Sequence, residues 1–378
     1  MGVLYLNNAA TSFPKPPDVL DAVAHALREL PQEPGRGSTE EDPLQACRDV
    51  LARLFGVAEP ARVALLPSAT HALNTALSGL LRPGDHVVTT MLEHNSVLRP
   101  LAHLATRGVL VTQVSPDDNG VVGEDAILAA LTPVTRAVAI SHASNVTGAI
   151  QPIEAIARAL AGRAALVVDA AQSAGCVPIA FDALPGRCFV AFAGHKGLYG
   201  PTGTGGLLLA DDALEQSFVG GTGSLSESEL HPGELPLRHE AGTPNLPGIA
   251  GLRAGAEFVA RETVAKLGAH RHRLVVQLRA ELARLGKVRL SPLAKDDGRA
   301  GVVSFTVDGW PAADVGYMLR ESFEIEVRTG LHCAPLAHSW LGTAPDGTVR
   351  VSVSAFNQER DVGALVEAIE ALSATDAR

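Results

Sequence analysis

Between about residues 60 and 210 the chain carries seven short apolar runs: VALL (63–66), HVVTTM (86–91), VLVTQV (109–114), AVAIS (137–141), ALVVDA (165–170), CFVAFA (188–193) and GGLLLA (205–210). Amphipathic stretches such as HALNTALSGLL and PIEAIARALAG separate most of them. Strands that are apolar at nearly every position need cover on both faces, and intervening helices supply both the crossover and the cover. The pattern predicts an α/β fold built on a seven-stranded, mostly parallel sheet. Only a glycine-rich loop joins CFVAFA to GGLLLA, too little chain for a helical crossover, so the last strand is expected to run antiparallel.

After about residue 215 the pattern changes. Residues 216–250 are rich in Gly, Pro, Ser and Glu and read as extended loops. A long helical run from Ile249 to Leu285 follows, then RAGVVSFTV, a helix near Ala312–Glu321, the segment EIEVRTGLHCAPLAH, TVRVSVSAF and a final helix. This predicts a smaller C-terminal α+β domain, giving an N-terminal arm over 1–15, a large domain over 16–250 and a small domain over 251–378.

The charge balance narrows the function. With 31 basic against 41 acidic residues, a net charge of −10, and no basic runs, the chain lacks the footprint of a nucleic-acid binder or of a protein bound to an anionic membrane. No apolar stretch approaches a membrane span, and MGVLYLNNAATSF has no basic leader region, so a cytoplasmic protein is expected. The four cysteines Cys47, Cys176, Cys188 and Cys333 form no C-x-x-C pair, which argues against a structural metal or a disulfide framework. Cys47, Cys176 and Cys188 read as core residues.

In open α/β sheets, ligands sit beyond the carboxyl ends of the strands. PSATHALN follows VALL, LEHNS follows HVVTTM, HASNVTG follows AVAIS, ALVVDA contains Asp169 near its end, and GHKGLYG follows CFVAFA. Thr70, His94, Asn145, Asp169, Gln172, His195 and Lys196 are thereby expected at one mouth. A partly desolvated lysine is a Schiff-base nucleophile. A buried aspartate can pair with a pyridinium nitrogen. Ser68, Ala69 and Thr70 open a helix whose N-terminus suits a phosphate, and His195 adds a further donor. His94 can cover a ring face, while Asn145 and Gln172 can bond a phenolic oxygen. Together these parts make a pyridoxal-phosphate site with Lys196 as its anchor. A metal-dependent hydrolase using His94, Asp169, His195 and Cys333 would leave Lys196 and its glycine loop without a purpose, and no pair has the i, i+4 spacing of a helical zinc site.

The motifs YLNNAATSFPKP, SATHALN, LEHNS, SNVTGAIQPI, VVDAAQSAG, GHKGLYGPTGTGG, EAGTPN, RTGLHCAP and VRVSVSAFN run in order along nearly the whole chain. In these the sequence resembles the class V aminotransferase family, in its cysteine desulfurase and selenocysteine lyase branch, with the short catalytic segment of the group II enzymes. The resemblance implies fold type I and a homodimer with shared active sites, Thr243 reaching the cofactor phosphate of the other subunit. It makes Cys333 the nucleophile that takes sulfur from L-cysteine as a persulfide, leaving L-alanine. It assigns proton transfer and ring stacking to His94, and places Asn8, Arg328 and Arg350 at the substrate, with Arg350 on its carboxylate. A sulfur-acceptor protein, serving iron–sulfur or thio-cofactor synthesis, would complete the reaction. L-selenocysteine is an alternative substrate, and a cystine or cysteine C–S lyase that dispenses with Cys333 is the rival within the fold. The sequence departs from the family at Ala193, where Ser or Thr is usual, at Asn7, where Asp is usual, and at Leu331, where the group II pattern has a second histidine.

Overall fold

The computed structural model describes residues 2–29, 42–293 and 297–374. All seven apolar runs form strands of one sheet, ordered Val63–Leu66, Gly205–Leu208, Cys188–Ala193, Ala165–Asp169, Thr135–Ser141, His86–Thr90 and Leu110–Val114. Gly205–Leu208 runs antiparallel to both of its neighbours, and the other pairings in the sheet are parallel.

Alternation along the strands divides the core between two faces. Val88, Val138, Ile140, Val168, Val190 and Phe192 pack on one side. Val87, Ala137, Ala139, Val167, Phe189 and Ala191 pack on the other. Burial on both faces explains why the inner strands contain almost no polar residue except at their ends. Val63–Leu66 and Leu110–Val114 are the two edge strands; the first is buried along its length and the second is partly exposed.

The helices start where side chains can satisfy their first N–H groups. Ser68 accepts from His71 N at 3.1 Å to open Ala69–Leu80. His94 Nδ1 accepts from Ser96 N at 3.0 Å to open Asn95–Ala105. Both caps lie at strand ends, so the residues that begin the helices also border the mouth of the sheet.

The helical run expected over 249–285 is two helices, Leu246–Glu262 and Val264–Leu282. Thr263 separates them with φ +65°, and its hydroxyl accepts from Lys266 N at 3.3 Å. Threonine competes for backbone donors as a cap, and here that local bond ends one helix and begins the next. The break also divides the packing. Ile249, Leu252 and Ala256 join the core of the large sheet, whereas Leu274, Leu278 and Leu282 join that of a second sheet.

The second sheet is antiparallel, ordered Arg328–Gly330, Thr348–Ser352, Val302–Val307 and Val288–Leu290. Near it, Leu4–Tyr5 pairs in parallel with Ile325–Glu326. Leu6 is fully buried in the same core as Phe305, Val349 and Leu365. The N-terminal segment is thus built into the C-terminal core, and Asn7 bridges to Ser352 at its edge.

Candidate active site

Lys196 lies in the turn after Cys188–Ala193, with Tyr199 N donating to its carbonyl at 2.9 Å. The turn presses on its neighbours. A Cβ at Gly197 would stand 2.3 Å from the Ala174 carbonyl oxygen, so only glycine fits. The N-terminal segment clamps the preceding peptide: the His195 carbonyl accepts from Ser12 N at 3.0 Å, Lys15 Nζ at 3.0 Å and Thr11 Oγ1 at 3.1 Å. Burial lowers Lys15 to about 8.

Burial also lowers the Lys196 ammonium to about 8; Asp169 opposes that shift, and Arg350 adds to it. Asp169 ends the neighbouring strand, where burial raises its carboxyl while the Ala171 N–H, 2.9 Å from Oδ1, and Lys196 hold it down. Its other oxygen has no hydrogen bond among the described residues, which leaves it available to a cation. Beneath Lys196 lies a cavity of about 20 Å³ lined in part by Asn8, Gln172, Cys176, Tyr199 and Arg271.

His94 borders the same site. Burial, then the charges of Lys196 and Arg350, push it down to about 4. Its Nδ1 is the acceptor in the helix cap, so the neutral ring carries its proton on Nε2. Thr70 Oγ1 lies 2.7 Å from Ser96 Oγ at the start of the adjacent helix. His195, lowered to about 4 by burial and then by Lys196, keeps a buried Nδ1 without a partner among the described residues.

The small antiparallel sheet brings in the remaining groups. Cys333 is exposed and lies close enough to Lys196 and Arg350 to bear on the titration of both. The backbone under it is unusual, with φ +48° at His332 and +58° at Cys333, a left-handed pair without glycine. Three bonds hold it: Asn145 Nδ2 donates to the His332 carbonyl at 2.7 Å, Asn95 N donates to the Cys333 carbonyl at 2.7 Å, and Ala334 N donates to the Leu331 carbonyl at 2.9 Å. Arg350 is buried, donating from Nη1 to the Asn145 carbonyl at 3.1 Å and from Nη2 to Asn7 Oδ1 at 3.4 Å. Its Nε has no partner among the described residues. Burial first, then Arg328, lowers its guanidinium to about 10. Arg328 is Arg350's cross-strand neighbour and is exposed.

A match to the aminotransferase class-V family model extends over residues 4–365. The chain belongs to the class-V aminotransferase family. A probable cysteine desulfurase of Methanothermobacter thermautotrophicus is 32% identical, over 98% of this chain and 94% of that protein. A probable cysteine desulfurase of Pseudomonas aeruginosa is 36% identical, over 96% and 91% of the two chains. The apo structure of the cysteine desulfurase from Thermococcus onnurineus NA1 is similar with a TM-score of 0.89 and 32% identity, covering 98% of this chain and 95% of that one.

Within this class-V aminotransferase several expected residues are engaged differently from the simplest reading. The Asn8 amide donates to the Ser352 carbonyl at 2.9 Å, and its oxygen accepts from Phe13 N at 3.1 Å, so it fastens the N-terminal segment. Gln172 Nε2 donates to the Ala9 carbonyl at 3.0 Å. Ala193 packs with Ala69 and Ala171 as a small apolar floor, which accounts for the missing hydroxyl at that position. Thr243 is exposed in the segment before Leu246–Glu262.

One polar partner escaped the sequence reading, and a second, Asn7, stood there only as a departure from the family pattern. Asn7 matters through its bond to Arg350, a relation across 343 positions that local sequence does not announce. Glu93 is completely buried, accepting from Thr90 Oγ1 at 2.6 Å, Ser141 Oγ at 2.7 Å and Ser141 N at 3.1 Å. Its position in LEHNS, directly after an apolar strand, is the same signal that singled out Asp169.

Proposed function

We propose that the protein is a pyridoxal-phosphate-dependent cysteine desulfurase converting L-cysteine to L-alanine, with the sulfur passing to Cys333. The observation that carries this reading is the meeting of a half-buried, desolvated lysine and a buried aspartate with an exposed cysteine held in a fixed backbone turn and a buried arginine.

Class-V aminotransferases and cysteine desulfurases use pyridoxal phosphate. The donor set fits that group: Lys196 suits its carbonyl carbon, Asp169 its ring nitrogen, and His195, Thr70 and the start of Ala69–Leu80 its phosphate. His94 would lie on the ring, and Asn145 and Gln172 near its phenolic oxygen. Thr243 of the partner subunit would complete the phosphate cradle. When bound, the group supplies an electron sink for charge developing at the substrate Cα.

The rest falls to the chain's own residues. Arg350 takes the substrate carboxylate with the donors it does not spend on Asn145 and Asn7, and Arg328 raises the local positive potential. Lys196 Nζ, poised near neutrality, accepts the Cα proton and later returns a proton to the product. Cys333 attacks as the thiolate: a bond forms between its Sγ and the substrate sulfur while the substrate's carbon–sulfur bond breaks. Alanine leaves and the persulfide remains on Cys333.

The exposure of Cys333 supports delivery of that sulfur to a separate acceptor, in the service of iron–sulfur or thio-cofactor synthesis. The reading includes a cytoplasmic homodimer, for which the exposed apolar side chains Phe13, Leu20, Leu27, Phe218 and Val219 offer support. It also carries the division of the chain into an arm over 1–15, a large domain over 16–250 and a small domain over 251–378.

Anaerobic incubation with L-cysteine and a reductant, following alanine and sulfide, tests the proposal. Alanine formation is expected to fall at least 100-fold in Cys333→Ala with the cofactor absorbance retained. Undiminished activity in that variant would favour a C–S lyase instead.

A further inference from the structure

The two histidines beneath the Cys333 loop have no part in the chemistry above. His332 is buried and His338, on the short helix Pro335–Leu341, is wholly enclosed. Their ring centroids are 5.4 Å apart with planes inclined at 50°. Each ring has one nitrogen on a threonine hydroxyl: His332 Nε2 lies 3.0 Å from Thr348 Oγ1, and His338 Nδ1 lies 2.8 Å from Thr343 Oγ1. The other nitrogens, His332 Nδ1 and His338 Nε2, are both buried without a partner among the described residues.

Two orphaned polar atoms on adjacent rings are costly unless they satisfy one another. Neutral imidazoles suit that need, since one can donate while the other accepts, directly or through one water. Burial, and after it the Arg350 charge, keeps both rings neutral, His332 at about 2 and His338 at about 4. Uncharged rings also add no further positive charge beside Arg350.

We propose that His338 is a positioning residue for Cys333, acting through a buried relay Thr343–His338–His332–Thr348 that fixes the left-handed His332–Cys333 backbone and so the direction of the thiol. Leu331 stands where the group II pattern has a second histidine beside the cysteine, and here the second imidazole comes from the following helix instead. The consequence for turnover rests on Cys333 being the sulfur acceptor; the positioning itself does not.

The test uses the holoprotein and two readouts. A nitroxide attached to Cys333, the exposed one among the four cysteines, reports loop motion by its spectral line width. Steady-state alanine formation reports kcat and KM. His338→Leu is near histidine in volume but has no polar atom. It is expected to sharpen the nitroxide lines and lower kcat about tenfold while KM for L-cysteine changes less than twofold. His338→Gln places an amide near the Nε2 position and is expected to restore both, whereas His338→Asn, which reaches only the Nδ1 position, is not. If His338→Leu fails to fold, Thr343→Val at the outer end of the relay is expected to give the same two changes in weaker form. Unaltered line width and kcat in the folded variants would overturn the proposal, as would equal recovery by Asn and Gln. Sharpened lines with alanine formation indifferent to both His338→Leu and Cys333→Ala would uphold the positioning and sink the desulfurase reading.

Discussion

The Asn145 side chain donates to the His332 carbonyl at 2.7 Å, so a residue beyond a strand end of the large sheet holds the peptide that carries Cys333. The Asn145 carbonyl in turn accepts from Arg350 at 3.1 Å. One residue therefore ties the loop of the reactive thiol to the buried arginine. Asn145→Ala is expected to reduce alanine formation about tenfold or more, a cost of about 1.4 kcal/mol in the barrier, while cofactor affinity falls much less. Parallel titration of cofactor binding and measurement of kcat checks this, and equal losses would return Asn145 to the cofactor alone.

Arg350 offers the planar fork that a carboxylate prefers. In Arg350→Lys the charge remains but the fork and its bonds to Asn145 and Asn7 are lost, and KM for L-cysteine is expected to rise about tenfold or more. Arg328→Lys, at an exposed site, is expected to change KM only a few-fold. The two KM values, measured side by side, decide whether buried geometry or mere charge selects the substrate.

Lys196 reacts through its neutral amine, and its ammonium is lowered to about 8. Reloading of the apo-protein with pyridoxal phosphate, followed by absorbance, is expected to accelerate up to about pH 8 and then level off, instead of climbing to the usual lysine range. Asp169 opposes the lowering, so Asp169→Asn is expected to move the midpoint to lower pH. A midpoint unchanged by that substitution would separate the two residues.

Glu93 is a second buried carboxyl near Asp169, raised to about 7 chiefly by burial in spite of its bonds to Thr90 and Ser141. A carboxyl whose folded pKa lies above the unfolded value loses stability as pH rises between the two, here from about 4.5 to about 7. Ionised Glu93 then costs on the order of 3 kcal/mol. The Tm difference between Glu93→Gln and the parent protein is expected to shift in favour of the variant as pH rises from 5 to 8. A difference independent of pH would show that Glu93 does not titrate on unfolding.

The strands were legible because each is a bounded apolar run, and the strand-end rule then gathered Asp169, His94 and Lys196 without any knowledge of packing. The antiparallel course of Gly205–Leu208 followed from loop length alone. The break at Thr263 was not legible, because a threonine inside an amphipathic run reads as an ordinary helical residue until its cap to Lys266 is seen. The Arg350–Asn7 bond and the His332–His338 pair were hidden for another reason. Their meaning lies in which polar atoms lack other partners, a property of the folded interior and not of spacing.

The pairing of Leu4–Tyr5 with Ile325–Glu326, together with the burial of Leu6 against the C-terminal core, joins the first residues to some of the last. The surface that receives Leu6 includes residues beyond position 350, Val351 and Leu365 among them. The clamp on the His195 carbonyl belongs to the same N-terminal segment. The fastening of the lysine turn therefore depends on the packing of the small sheet as well as on the large sheet whose strand precedes Lys196.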